Sequence, residues 1–98
     1  MNPSFNVIAR YRTQDGRTGE VLEKLFALAA ATRTEEGNLS YEFFRGVADD
    51  RQIVILERYR REEDFQAHRD SEHFREIGAG GIIPLLESRT ISTFTLAD

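Results

Sequence analysis

Glu57, Tyr59 and His68 are the residues of this chain whose types and spacing suit proton transfer. A carboxylate accepts a proton, a phenol donates one, and an imidazole does either near neutral pH. The stretch Ile53-Val54-Ile55-Leu56-Glu57-Arg58-Tyr59 alternates, so Glu57 and Tyr59 share a face with Ile53 and Ile55. Val54, Leu56 and Arg58 take the other face. If helices cover the first face, Glu57 and Tyr59 enter a half-buried cleft, where burial raises a carboxyl pKa by disfavouring the charged form. That makes a base-and-donor pair. The competing role is structural: Glu57 pairs with an arginine or a backbone amide and closes the strand end. Tyr59 reads as a pocket wall before it reads as an acid. His68 follows Asp64 and Phe65 by about one turn, and either reaches the cleft or packs as a hydrogen-bonded core histidine.

Five further residues complete a candidate substrate-binding set: Asn38, Tyr41, Phe74, Arg33 and His73. Tyr41 and Phe74 would line the pocket, with Asn38 and Arg33 as orienting groups. Asn38 has a local alternative, since Asn commonly bonds nearby backbone at a strand entry. His73 reads as a cap or a surface group. His68 and His73 are five apart, which on a continuous helix sets them on different faces. With no cysteine and no HExxH pattern, the sequence assigns no metal site. It assigns no cofactor either. Gly78-Ala79-Gly80-Gly81 neither follows a strand nor opens a long helix, so it is not a dinucleotide fingerprint. It reads as a helix interruption and a mobile flap over the cleft mouth. No serine or threonine sits in a nucleophile setting such as GxSxG, which disfavours acyl-enzyme chemistry.

The elements that must hold these groups follow from periodicity. Phe5 to Arg12 alternates as a strand, and Gln14-Asp15-Gly16 turns the chain. Val21, Leu22, Leu25, Phe26, Leu28, Ala29 and Thr32 give a helix over 18–33, with Thr18 or Asp15 as its cap. Gly37 can end that segment in the left-handed conformation. Strands follow over 39–47 and 52–59, joined by a hairpin loop at Ala48-Asp49-Asp50-Arg51. A second helix over 62–70 carries acids in its first turn but lacks a good cap at Arg61. Ser71 begins another helical turn through Phe74, a short turn lies near Pro84 to Leu86, and 89–96 alternates as a last strand. The order strand, helix, strand, strand, helix, strand predicts a single α+β domain over residues 1–98, with two helices on one face of a four-stranded antiparallel sheet.

Composition narrows the partners. Forty per cent apolar residues and ten aromatics support a real core. A net charge of −4 leaves no basic stripe for phosphates, so no nucleic acid is expected. The one basic cluster, Arg58-Tyr59-Arg60-Arg61, meets Glu62-Glu63-Asp64 at once, as a strand end running into an acidic helix start. No signal-like start and no apolar run near 18 residues is present, so the expectation is a cytoplasmic protein with no membrane partner. Ile53-Val54-Ile55-Leu56 is apolar on both faces, and Ile8 and Phe44 join Val54 and Leu56 on one of them. Two helices cover only one face. A second copy is the simplest cover for the other, giving a homodimer through the sheet face.

Three blocks in order, Glu35-Glu36-Gly37-Asn38-Leu39-x-Tyr41, Ile55-Leu56-Glu57-x-Tyr59 and Phe65-x-Ala67-His68-x-x-Ser71-x-His73-Phe74, resemble the antibiotic biosynthesis monooxygenase family. The likeness runs from Phe5 to about Thr95 and is nearest to its small bacterial quinol-monooxygenase-like members. It implies a ferredoxin-like βαββαβ unit, paired sheet to sheet into a dimeric α+β barrel, with a cleft between sheet and helices. It also implies cofactor-independent oxidation of a small aromatic or quinol by molecular oxygen, the substrate supplying the electrons. Departures raise alternatives. Glu36 stands where the family usually carries Pro, a change shared with a branch that isomerises phosphorylated autoinducer-2. That reaction would want cations at the cleft mouth, from Arg33 or Arg45. Tyr59 stands where Trp is frequent. The site positions of the heme-degrading branch fall on Ala9, Tyr59 and Gly78, which argues against heme degradation. A third alternative is a non-catalytic dimeric module that binds a small ligand.

Overall fold

Alternation in the first strand becomes a two-sided sheet. The computed structural model describes residues 3–97, in the order β1 (Ser4–Thr13), α1 (Thr18–Thr32), β2 (Asn38–Arg45), β3 (Gln52–Tyr59), α2 (Glu62–Arg69) and β4 (Leu86–Leu96). A π-helical segment, Phe74–Ile82, and a short 3-10 turn, Ile83–Leu85, lie between α2 and β4. The strands pair antiparallel in the order β2-β3-β1-β4. This is the ferredoxin-like βαββαβ arrangement, with the helices on one face.

The register places the chemistry. Glu57 at the centre of the sheet pairs with Val7 of β1 and with Tyr41 of β2. Tyr11 pairs with Ile53 on one side and Arg89 on the other. Beneath the helices, Ala9, Tyr11, Ile53 and Ile55 pack against Val21, Leu25, Leu28 and Ala29 of α1. Val7, Tyr59 and Phe65 form a smaller cluster under α2. Each fully buried aliphatic side chain here contributes about 1.5–3 kcal/mol. The opposite face stays open, with Phe44, Leu56 and Phe94 in solvent and Ile8 and Val54 half-buried.

Four local expectations are corrected. The glycine-rich stretch Gly78–Gly81 does not interrupt a helix or form a flap: it lies inside the π-helical segment, with Gly78 and Ile82 buried. Ser71 does restart the helix, its Oγ accepting a 3.2 Å bond from the Phe74 N–H, but the turns run on to Ile82. Neither Thr18 nor Asp15 caps α1. Arg17 holds the cap position without a side-chain bond, and the Thr18 hydroxyl lies 2.6 Å from that of Thr13. Gly37 is not left-handed, since among the described residues only Gly16 has positive φ. Gly37 is needed for closeness: a Cβ there would stand 2.2 Å from Cγ of Asp64. The hairpin 48–51 closes as expected, with Asp49 Oδ1 accepting from the Arg51 N–H at 3.1 Å.

Candidate functional site

β3 builds the floor. Glu57 points beneath the helices and is 6% exposed, and Tyr59 is fully buried beside it. The Tyr59 hydroxyl donates a 2.6 Å hydrogen bond to Glu57 Oε1. Desolvation raises the Glu57 carboxyl above its ordinary range, and the bond from Tyr59 and the neighbouring His68 offset this in part. Burial, followed by the charge of Glu57 and the bond to it, pushes the Tyr59 phenol far up. Tyr59 is therefore a fixed donor and not an acid at working pH.

α2 supplies His68. Phe65 and His68, three apart, both face inward from this short helix. His68 is 2% exposed, its ring near-parallel to Phe65 and edge-on to Phe74. Its Nε2 lies 3.8 Å from Glu57 Oε1, and its Nδ1 lies 2.8 Å from Glu35 Oε2. His73 comes to the same oxygen, with Nε2 at 2.5 Å. The spacing of five therefore does not separate the two histidines. α2 ends at Arg69, the chain bends at Asp70 and Ser71, and the next helical segment starts at Glu72. His73 is half-buried against Glu35 instead of serving as a cap or surface group.

A cavity of about 20 Å³ lies under this cluster, room for about one water-sized molecule. Tyr11, Tyr41 and Glu57 form its floor and His68 its wall; Phe74, Arg69 and Arg89 stand at its edge. The space between sheet and helices is thus nearly filled by the chain's own side chains. Burial pushes Tyr11 up to about 12, with the charge of Glu57 adding and Arg89 opposing. A far larger cavity, about 720 Å³, opens around Leu39, Arg58 and Arg60, and none of Glu35, Glu57, His68 and His73 lines it. Arg60 and Arg61 there face Asp64 at 3.7 and 3.5 Å, the strand-end-to-helix pairing expected from the sequence.

Of the eight residues singled out in the sequence, Glu57, Tyr41, His68 and Phe74 line the small cavity. Tyr59 stands behind Glu57. His73 lies on the far side of His68, against Glu35. Asn38 donates its amide to the carbonyls of Ser40 and Arg58, at 3.0 and 3.3 Å, and steadies the register shift at the start of β2. Arg33 donates to the Tyr41 carbonyl at 2.6 Å and ties α1 to β2. Both are spent on backbone. Sequence reasoning missed Glu35, Arg69 and Arg89. Glu35 is 33 residues from His68 in the chain, and only the packing of α2 on the turn after α1 joins them.

Residues 4–79 match the family model described as antibiotic biosynthesis monooxygenase. The chain belongs to the antibiotic biosynthesis monooxygenase family. The matched span holds Glu35, Glu57, His68 and His73, while Arg89 and the whole of β4 lie beyond it. A Mycobacterium tuberculosis member, "Putative monooxygenase Rv0793", is 34% identical over 74 residues, 76% of this chain and 72% of that protein. A Bacillus subtilis member, "Putative monooxygenase YcnE", is 32% identical over 62 residues, 63% of this chain; the chain spans just under two thirds, 65%, of that relative. The crystal structure titled as a putative antibiotic biosynthesis monooxygenase from Caulobacter crescentus superposes with a TM-score of 0.90 at 21% identity, over 99% of this chain and 92% of that one. That last likeness supports the family fold. Among the described residues no helix is long and apolar enough to cross a membrane.

Proposed function

We propose that this family member oxidises a small electron-rich phenol or hydroquinone with molecular oxygen, Glu57 taking the substrate proton. The observation that carries the reading is a buried carboxylate, raised by desolvation, on the floor of a cavity that His68 walls and two guanidinium groups edge. For a phenol with a free para carbon, substrate plus O₂ gives the quinone plus water. One oxygen atom enters the ring, the other leaves as water, and the substrate supplies all four electrons, so no organic cofactor is required. Arg69 and Arg89 are placed to favour the phenolate, as fixed charge near a developing oxyanion does. A cavity of about 20 Å³ takes in a ring only if Phe74 and the arginines swing outward. Substrate entry at the β4 edge is part of the proposal, because β4 is exposed along almost its whole length.

The test is oxygen consumption with a panel of hydroquinones and phenols, scored for quinone product. Glu57→Gln should lower kcat/KM by about 10²–10⁴-fold, the usual worth of a positioned base. No turnover across the panel, or an unchanged rate in Glu57→Gln and His68→Ala, removes the oxygenase reading. A second reading draws on the same two arginines: enolisation of an anionic, phosphorylated substrate by Glu57 and His68. Arg69 and Arg89 take the place expected for Arg33 or Arg45, which do not line the cavity. Isomerisation of such a substrate without oxygen uptake would favour it. We also infer that a second copy covers the apolar sheet face, as symmetric pairing of one patch with itself allows.

A further inference from the structure

We propose that Glu35, His68 and His73 form a binding site for one divalent transition-metal ion of the zinc, cobalt or iron(II) type. The site goes beyond the oxidation reading and does not rest on it. Each residue offers one ligand atom, and the three atoms lie within 4.8 Å of one another. They come from three separate segments: the turn after α1, the last turn of α2 and the short helical turn that leads into the π-helical segment. Convergence is the first argument. Nδ1 of His68 and Nε2 of His73 both aim at Glu35 Oε2, at 2.8 and 2.5 Å. The in-plane direction that carries an N–H also carries the lone pair of the neutral ring. Two imidazole lone pairs therefore meet at one point, and a carboxylate reaches the same point.

The second argument is the outer shell. A metal-binding histidine usually presents its other nitrogen to a carboxylate, which fixes the tautomer and strengthens the ligand. His68 turns Nε2 toward Glu57 Oε1 at 3.8 Å, a gap that must shorten for this hydrogen bond to form, and Tyr59 holds that same oxygen at 2.6 Å. The ligand path thus continues inward through Glu57 to Tyr59. Two imidazole nitrogens and one carboxylate oxygen suit zinc and its first-row neighbours, whereas calcium and magnesium call for oxygen ligands alone. Bonds of about 2.0–2.2 Å to each atom require Glu35 Oε2 to draw back from the point it now occupies. Glu35 and His73 keep 16% and 24% of their side-chain surface, so the ion enters from their side and His68 anchors it from within.

The experiment uses the whole chain, stripped with a chelator and desalted, with no substrate present. Cobalt(II) should bind at one per chain with visible d–d absorption, and zinc should displace it. His73→Ala and Glu35→Gln should each weaken cobalt binding by at least about 10-fold, and Glu57→Gln by about 10–100-fold as an outer-shell change. Zinc should also raise the melting temperature of the unsubstituted chain, because an ion that binds only the folded state stabilises it. That measurement stands even if a variant fails to fold. Absence of a saturable cobalt band and of a zinc-dependent rise in melting temperature overturns the proposal. So does affinity unchanged in both His73→Ala and Glu35→Gln. Neither outcome bears on hydroquinone oxidation, which is read separately with substrate.

Discussion

The Tyr59 hydroxyl donates to Oε1 of Glu57, two residues earlier on the same face of β3, at 2.6 Å. Both residues are buried, so each satisfies a group the other would leave without a partner. Removing one member is therefore costly, while replacing both by apolar groups is far less so. Tyr59→Phe should destabilise by about 1–3 kcal/mol. In a Glu57→Leu background the same change should cost much less. Urea unfolding of the two single variants and the double variant measures the coupling. Strictly additive costs would show that the bond does not couple the pair.

Alkaline pH provides a second check. The chain has three tyrosines, Tyr11, Tyr41 and Tyr59; all are buried, and desolvation is the first cause raising each. Phenols of the unfolded chain ionise near pH 10, whereas Tyr11 in the fold is pushed up to about 12. A raised folded value means that the folded state keeps a proton the unfolded state has lost. Stability is fully present below about pH 10 and falls as pH rises toward about 12. Three phenols held neutral give a slope of roughly 4 kcal/mol per pH unit. Phenolate absorbance should thus rise in one step together with loss of far-ultraviolet dichroism. A tyrosine that titrates near pH 10 in the folded protein contradicts this arrangement.

What the sequence made legible was periodic. The alternation of Ile53 to Tyr59 placed Glu57 and Tyr59 on the inner face, and the order of elements led to the sheet. The residues it misread all depend on what faces them across space. His68 and His73 looked divergent because the spacing rule assumes one continuous helix, and the bend at Asp70 and Ser71 breaks that assumption. Asn38 and Arg33 have ligand-like chemistry, but backbone carbonyls claim them. Glycines at 78, 80 and 81 read as a break, yet wide helical turns accept them. Glu35 carries no local sign of its role.

Gly37 is the sharpest of these cases, because its reason is closeness and not conformation. A Cβ at this position would lie 2.2 Å from Asp64 Cγ and 2.4 Å from Asp64 Cβ. Gly37→Ala should destabilise by about 1–3 kcal/mol through overpacking. Asp64→Ala should not rescue it, since the Cβ of Asp64 is itself in the way; Asp64→Gly should give partial relief. Thermal melts of the single and double variants decide. An unaffected Gly37→Ala would mean that the turn and α2 separate at little cost.

The open face of the sheet makes the last prediction. Leu56 sits between Ile8 and Glu42 on this face, near Phe44 and Val54. Leu56 is 37% exposed and Phe44 50%, an arrangement that a single copy leaves in water. Pairing two copies through this patch would bury roughly 800 Å² on each side in a standard-size interface. Leu56→Arg places a charge where two such faces would meet, but it removes little from the core beneath the helices. Sedimentation at micromolar concentration should give a dimer for the unsubstituted chain and a folded monomer for Leu56→Arg. An unsubstituted monomer under those conditions, or a dimer that survives Leu56→Arg, rules out this face as the interface. Because Glu57 and Leu56 are adjacent residues on opposite faces of β3, a monomeric variant that still oxidises hydroquinone would show that the inner cavity works without its partner.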